Sequence, residues 1–144
     1  MEYAASFDKD LRLIFIRFGS EYLGASGNDA IVKEVGRLPF IQRTSLRQVL
    51  IDCSEVLQAD LRHSDRAKLG LLIQRLDRLG VNVNEFLVCV VSTHPTIQER
   101  YERQKGPVRN LFQLRLVKSF EEAEHALGME PGALEEITSM SNGG

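Results

Sequence analysis

Two uninterrupted apolar runs constrain the fold of this chain more than any other feature of its sequence. Val49 to Ile51 reads VLI, and Phe86 to Val91 reads FLVCVV. Such runs are typical of strands that helices cover on both faces, as in parallel sheets. Between them, leucine and isoleucine recur at spacings of three and four from Leu69 to Leu79, which predicts an amphipathic helix that ends at Gly80. The order strand, helix, strand predicts two neighbouring parallel strands joined by a right-handed crossover.

Three further strands extend this unit into a sheet. Tyr3 to Phe7 and Leu11 to Phe18 flank the polar turn at residues 8–10, which predicts an antiparallel hairpin. Alternating apolar residues predict a last strand over Phe112 to Val117. We therefore expect a mixed sheet that begins with an antiparallel hairpin and continues with mostly parallel strands.

Four helices are expected to flank the sheet. Besides the central helix, for which Ser64 or Asp65 is the expected cap, helices are predicted after Asn28 or Asp29, from Pro95, and from Ser119. Residues 1–128 then form a single α/β domain. The remaining residues, 129–144, are rich in glycine, serine and asparagine and are expected to form a frayed tail.

Composition limits the partners and the location of the protein. The 144 residues carry a formal net charge of -2, which provides no broad basic field, so we expect neither nucleic acid nor anionic lipid as a partner. No apolar run approaches membrane-spanning length, and the first residues lack the pattern of an export signal. Cys53 and Cys89 both lie in or beside apolar runs, where a free thiol behaves as a small core residue. We therefore expect a cytoplasmic protein without an integral membrane segment.

The residues that could support catalysis do not form a coherent set. Asp52, Ser92 and Lys118 at strand ends would suit a phosphoaspartate switch, but the corresponding strand ends Arg17-Phe18-Gly19, without the acidic pair that holds Mg²⁺. Asp52 and His94 are expected to approach each other if their strands are adjacent, and a carboxylate bonded to backbone N–H groups beside a solvated histidine is the favoured reading of that pair. No glycine-serine elbow for a nucleophile is present. We expect no enzyme activity, no metal and no cofactor.

Three segments carry a resemblance to a known family. They are the strand end IDCSEV with its pattern Asp-x-Ser-x-Val, the leucine-rich helix LGLLIQRL, and the closing segment VKSFEEAEHALG. In these, the chain resembles the STAS-like superfamily over about Tyr3 to Gly128, and within it the bacterial branch related to the sporulation anti-sigma factor antagonist. The resemblance implies a small regulatory module that binds a protein and does not catalyse a reaction.

Some members of that family are switched by phosphorylation of a serine at the start of the helix after the central strand. The nearest candidate in this chain is Ser64, although the usual Asp-Ser-Ser-Gly-Leu-Gly pattern is absent and the adjacent Asp65 would repel a phosphate. A plain helix cap is the alternative role for this serine.

A partner surface is expected at the carboxyl ends of the central strands, because parallel strands end at one edge of the sheet and the loops there are polar. Its candidate residues lie in the loop from Ser54 to Lys68 and in the segment from Ser92 to His94: Ser54, Asp60, Arg62, His63, Asp65, Arg66, Ser92 and His94. A protein is the expected partner, and pairing with a second copy is an open possibility. The competing hypothesis is a small apolar or lipid-like ligand, since the superfamily extends to lipid carriers; an enclosed apolar pocket beneath the helices would favour it.

Overall fold

The computed structural model describes residues 2–61, 66–108 and 111–142. Its main sheet has five strands in the order β1-β2-β4-β6-β7. The strands are β1 (Tyr3–Asp8), β2 (Leu13–Phe18), β4 (Gln48–Asp52), β6 (Leu87–Val91) and β7 (Gln113–Val117). β1 runs antiparallel to β2, and all the later strands of this sheet are parallel to their neighbours. The α/β fold with an N-terminal hairpin, predicted from the sequence, is confirmed.

The register of the two central strands also agrees with the sequence. Val49 pairs with Val88, and Leu50 pairs with Cys89, in a parallel ladder. The carboxyl ends of β4 and β6 therefore lie side by side, which places Asp52 beside Val91 at one edge of the sheet.

Six α-helices are present in the described part of the chain, two more than the sequence predicts. They are α1 (Gly24–Arg37), α2 (Phe40–Ser45), α3 (Arg66–Arg78), α4 (Pro95–Val108), α5 (Phe120–Leu127) and α6 (Ala133–Asn142); a short 3-10 helix covers Val83–Glu85. The helices divide between the two faces of the sheet. Core residues of α1, α3 and α4 share one apolar cluster with Ile14, Ile16 and Val49, and those of α5 and α6 share a second with Leu13, Phe15 and Leu50. Successive residues of each strand alternate between these clusters, as the pleat requires.

The expected frayed tail beyond Gly128 is wrong for residues 133–142. Helix α6 packs on the sheet, and Leu134 is fully buried. Gly128 ends α5 in the left-handed conformation (φ 69°), as a helix-ending glycine does. The buried carboxylate of Glu124 then accepts a hydrogen bond from the backbone N–H of Leu134 over 3.0 Å, which fixes the start of α6 against α5.

Three smaller features also differ from the predictions. The first helix begins at Gly24, four residues before the predicted cap at Asn28, because it follows directly from a three-residue strand. That strand, β3 (Glu21–Leu23), pairs in parallel with β5 (Gln58–Asp60) in a separate two-stranded sheet. Helix α4 continues through Gly106 and Pro107, two residue types that usually interrupt a helix.

Candidate functional site

At the carboxyl edge of the sheet, Asp52 is completely buried and fully engaged in contacts within the protein. Its Oδ2 accepts a hydrogen bond from Nε of Arg17 over 2.7 Å, and its Oδ1 accepts one from the backbone N–H of Ser54 over 2.9 Å. Because both oxygens are used in this way, Asp52 stabilises the turn that follows β4. The carboxylate has no open side at which a phosphoryl group or a substrate proton would be received.

Arg17 is held as firmly as its partner. Its side chain is 15% exposed, and its guanidinium group lies 5.7 Å from the ring centroids of both Phe15 and Phe120. Cations are attracted to aromatic faces at this separation. The ion pair therefore lies in an apolar setting, where removal of either side chain would leave the other charge without a partner.

Ser92 and His94, both predicted as partner-binding residues, form a second ordered turn after β6. The buried Oγ of Ser92 accepts a hydrogen bond from the backbone N–H of His94 over 3.0 Å. The ring of His94 accepts at Nδ1 from the N–H of Thr96, so the proton resides on Nε2, which donates to the carbonyl oxygen of Leu57 over 3.2 Å. His94 thus connects the two loops, and neither of these two ring contacts is with Asp52.

These contacts bring several of the predicted residues to one rim, formed by the loops that follow β4 and β6. Ser54 is exposed after β4, Asp60 ends β5 and is half-buried, and Leu57 between them is 76% exposed. The predicted residues Arg62, His63, Ser64 and Asp65 lie outside the described residues. Of Arg66, only the backbone at the first position of α3 is described.

Both thiols are buried and protonated. Burial raises the pKa of Cys53 to about 12, and the neighbouring carboxylate of Asp52 adds to this increase. Burial also raises the pKa of Cys89 to about 12, against a small opposing effect of Arg115. The two side chains belong to the clusters on opposite faces of the sheet, so no disulfide joins them. At neutral pH neither is a thiolate nucleophile.

An apolar cavity of about 90 Å³ lies between the sheet and helices α1, α3 and α4. Most of its wall consists of aliphatic and aromatic side chains, including Leu72, Ile73 and Leu76 of α3 and Val49 and Val88 of the sheet. Leu76 is buried, whereas Leu72 and Ile73 are only half-buried although they face the core. Helix α3 therefore covers the cavity without filling it. The sequence raised such a pocket only as an alternative and gave no residues for it, because a cavity depends on how three separate helices pack.

Two tyrosines form a polar feature in the cavity wall. The hydroxyl groups of Tyr22 in β3 and Tyr101 in α4 lie 3.2 Å apart and share a hydrogen bond. Burial raises the pKa of both phenols above their usual value, so both keep their protons at neutral pH. Since the pair holds two hydroxyl hydrogens and uses one between the rings, the wall also offers a donor.

A wider depression lies between the outer edge of β7 and helix α5. It has a volume of about 1430 Å³, is open to solvent, and is lined in part by Glu121, Glu122, Glu135 and Arg115. An open, charged surface removes little of a small molecule from water, so the smaller cavity is the better candidate for a small ligand.

Within residues 2–61, 66–108 and 111–142, no group of three or more potential ligands that could hold a metal ion was found. No helix in these ranges is long and apolar enough to cross a bilayer. No family model matches the chain, and no curated protein is significantly similar to it.

Proposed function

We propose that this protein is a non-catalytic binding module whose ligand is a small apolar molecule or chain, held in the cavity beneath α3. The observation that carries the proposal is the largely apolar space of about 90 Å³ under a helix whose inward leucine and isoleucine are half-buried. Protein interiors are normally packed without such voids, because an unfilled apolar space forfeits contacts along its wall. A ligand that fills it recovers those contacts.

Xenon tests this function because it is apolar and small enough for the cavity, and apolar protein cavities are known to take it up. We expect xenon to shift the methyl NMR signals of Leu72, Ile73 and Val88. The variant Leu72→Trp fills the cavity and should abolish these shifts. Leu71→Trp places the same ring on the exposed face of α3 and should leave them unchanged. Equal shifts in both variants, or none in the wild type, would contradict the proposal.

A second candidate function, binding of a protein partner at the carboxyl rim, is supported by Leu57. This leucine is 76% exposed, although its carbonyl oxygen is fixed by His94. An exposed apolar side chain on a hydrogen-bonded backbone can be buried favourably against a partner's apolar surface. The likeness to anti-sigma factor antagonists led to the same expectation.

Affinity capture with purified variants distinguishes this candidate. A specific partner should be retained by the wild type and by Ile41→Asp, which changes an equally exposed apolar residue of α2, and lost with Leu57→Asp. Loss with both variants would indicate non-specific hydrophobic capture. Retention by Leu57→Asp would remove the rim from consideration.

A further inference from the structure

The main sheet ends at β7, the last strand in the sheet order. Within the described residues this strand pairs only with β6. At its start the N–H of Gln113 donates to the carbonyl oxygen of Phe86, and at its end the carbonyl oxygen of Val117 accepts from the N–H of Ser92, each over 3.0 Å. The backbone groups of Gln113 and Val117, and those of Arg115 midway between them, therefore point towards β6.

Leu114 and Leu116 present their backbone groups on the opposite side of the strand. In a strand, the N–H and C=O of one residue point to the same side, and those of the next residue point to the other. Two N–H donors and two carbonyl acceptors therefore face away from the sheet at these leucines. No hydrogen bond to them from another described residue was found. An unpaired edge of this kind is a template for a further strand.

The space beside this edge is open to solvent. The depression between β7 and α5 is lined by every residue of β7 and by several residues of α5. A strand added to a sheet lies about 4.8 Å from its neighbour and bonds to it through its backbone. The depression provides room for such a strand, and the four outward backbone groups provide its hydrogen bonds.

Arg115, at the centre of β7, determines which side chain suits the added strand. Its side chain is exposed, and it lies on the opposite face of β7 from the half-buried Leu114 and Leu116. No described side chain forms a hydrogen bond or ion pair with it. On an added antiparallel strand, the Cβ atom opposite Arg115 lies about 5 Å away, and an opposite charge at that position is stabilising. An acidic residue is therefore favoured there.

The same arginine opposes pairing with a second copy of the chain. If β7 of two copies paired in an antiparallel register that uses both leucines of each, the two Arg115 side chains would lie directly opposite each other. Like charges in that position are destabilising. Charged residues in edge strands are one of the ways in which proteins avoid self-association. The charge of β7 thus favours a different chain as the occupant.

The rest of the depression limits the number of acidic residues that the occupant can carry. Its lining includes Glu121, Glu122 and Glu135, whereas Arg115 is the only arginine or lysine among the described lining residues. A run of acidic residues would therefore meet like charge on α5. A single acidic residue between two apolar residues suits both faces of β7, because successive side chains of a strand point to opposite faces.

We propose that β7 is the docking edge for an extended segment of a partner protein, which adds to the sheet as an antiparallel strand. An acidic residue of the segment lies opposite Arg115, and its two apolar neighbours lie beside Leu114 and Leu116. Each of these neighbours exchanges two backbone hydrogen bonds with its leucine, so a short segment uses all four outward groups. This edge is separate from the cavity beneath α3, and the inference does not depend on the cavity's function.

The capped peptide acetyl-Ser-Val-Glu-Val-Ser-amide tests the proposal on the full chain. Titration followed by amide NMR should shift the N–H signals of Leu114 and Leu116 and slow their hydrogen exchange, because both become hydrogen-bonded. N-methylation of the two valines removes the donors that face β7 and should abolish binding. N-methylation of the glutamate is the matched control; its N–H faces away from β7, so binding should persist.

Exchange of charge tests the role of Arg115. Replacement of the peptide's glutamate by lysine should weaken binding to the wild type about fivefold. Arg115→Glu should reverse this preference, whereas Arg78→Glu, at an exposed arginine of α3, should preserve it. An unchanged preference in Arg115→Glu, equal binding of the two methylated peptides, or no change at Leu114 and Leu116 would overturn the inference. A dimer in sedimentation of the wild type alone, with both leucine amides protected, would assign the edge to a second copy and also overturn it.

Discussion

Arg17 and Asp52 are register partners on neighbouring parallel strands, and their side chains form an ion pair of 2.7 Å in which the carboxylate is completely buried. The contact joins the carboxyl ends of β2 and β4, where the loops of the rim begin. A buried pair of this kind contributes little relative to an apolar pair, but the loss of one partner leaves an uncompensated charge.

We therefore expect Arg17→Ala to lower the free energy of unfolding by about 3–5 kcal/mol, because Asp52 would remain buried without its cation. Urea denaturation followed by circular dichroism measures the change. Arg103→Ala is the control; it breaks the exposed pair with Glu99 and should cost no more than about 1 kcal/mol. Similar losses in the two variants would show that the burial of Asp52 has no energetic consequence.

The two buried thiols should make the folded protein less stable at alkaline pH. Because the pKa of Cys53 and of Cys89 is raised from 9.0 to about 12 in the folded protein, both states are protonated below pH 9, and only the unfolded chain releases these protons just above it. Stability should therefore be complete below pH 9 and decrease as the pH rises from 9 to 12. Urea midpoints across this range measure the loss, to which the buried phenols of Tyr22 and Tyr101 also contribute.

The same burial should protect the thiols from chemical modification. At pH 8 the native protein is expected to react with a thiol reagent such as DTNB far more slowly than the urea-unfolded chain, in which both cysteines should react. Rapid reaction of the native protein at pH 8 would contradict both the burial and the raised pKa values.

Gly27 is required by its contact with Tyr22. A Cβ added at Gly27 in α1 would lie 2.9 Å from the ring of Tyr22, which already packs edge-on against Phe18 with ring centroids 4.8 Å apart. Gly27→Ala should cost about 1–3 kcal/mol through this overpacking. Gly70→Ala in α3, where no described atom beyond the adjacent residues and the helix backbone lies within 4 Å of the added Cβ, should instead stabilise by about 0.5–1 kcal/mol. Thermal denaturation of the two variants provides the comparison.

Helix α6 contributes to the core through Leu134. Leu134→Ala should lower the free energy of unfolding by about 2–5 kcal/mol, the usual cost of a buried cavity. Leu71→Ala, at a leucine that is 53% exposed, should change it by no more than about 0.5 kcal/mol.

Removal of residues 129–144 should expose the cluster around Leu13 and Phe15 and yield an aggregating protein, which size-exclusion chromatography detects.

The strands of the main sheet were predictable because their signals are local. The apolar runs that became β4 and β6, and the polar turn between β1 and β2, depend on neighbouring residues only. β3 and β5 were not predictable, because each has three residues and each exists through pairing with the other. Helix α6 does have a local sequence signal, since Leu134 and Ile137 are three positions apart and Glu135 and Glu136 lie in the first turn.

The position of the rim was predicted from the sequence, but the contacts of Asp52 within it were not. β4 and β6 were expected to be neighbours because both are apolar, and this prediction correctly placed Ser92 near the loop after Asp52. The partner of Asp52 is Arg17. In the sequence, Arg17 was notable only because the strand that contains it ends without acidic residues. That pairing depends on the register of β2 against β4, which sequence patterns do not specify.

The position of α6 has a consequence for synthesis of the chain on the ribosome. Leu134 and Ile137 share a cluster with Leu13 and Phe15, yet they emerge only after every strand of the main sheet is complete. Until α5 and α6 have been made, one face of the nascent sheet is uncovered, and exposed apolar surface of this kind is prone to aggregate.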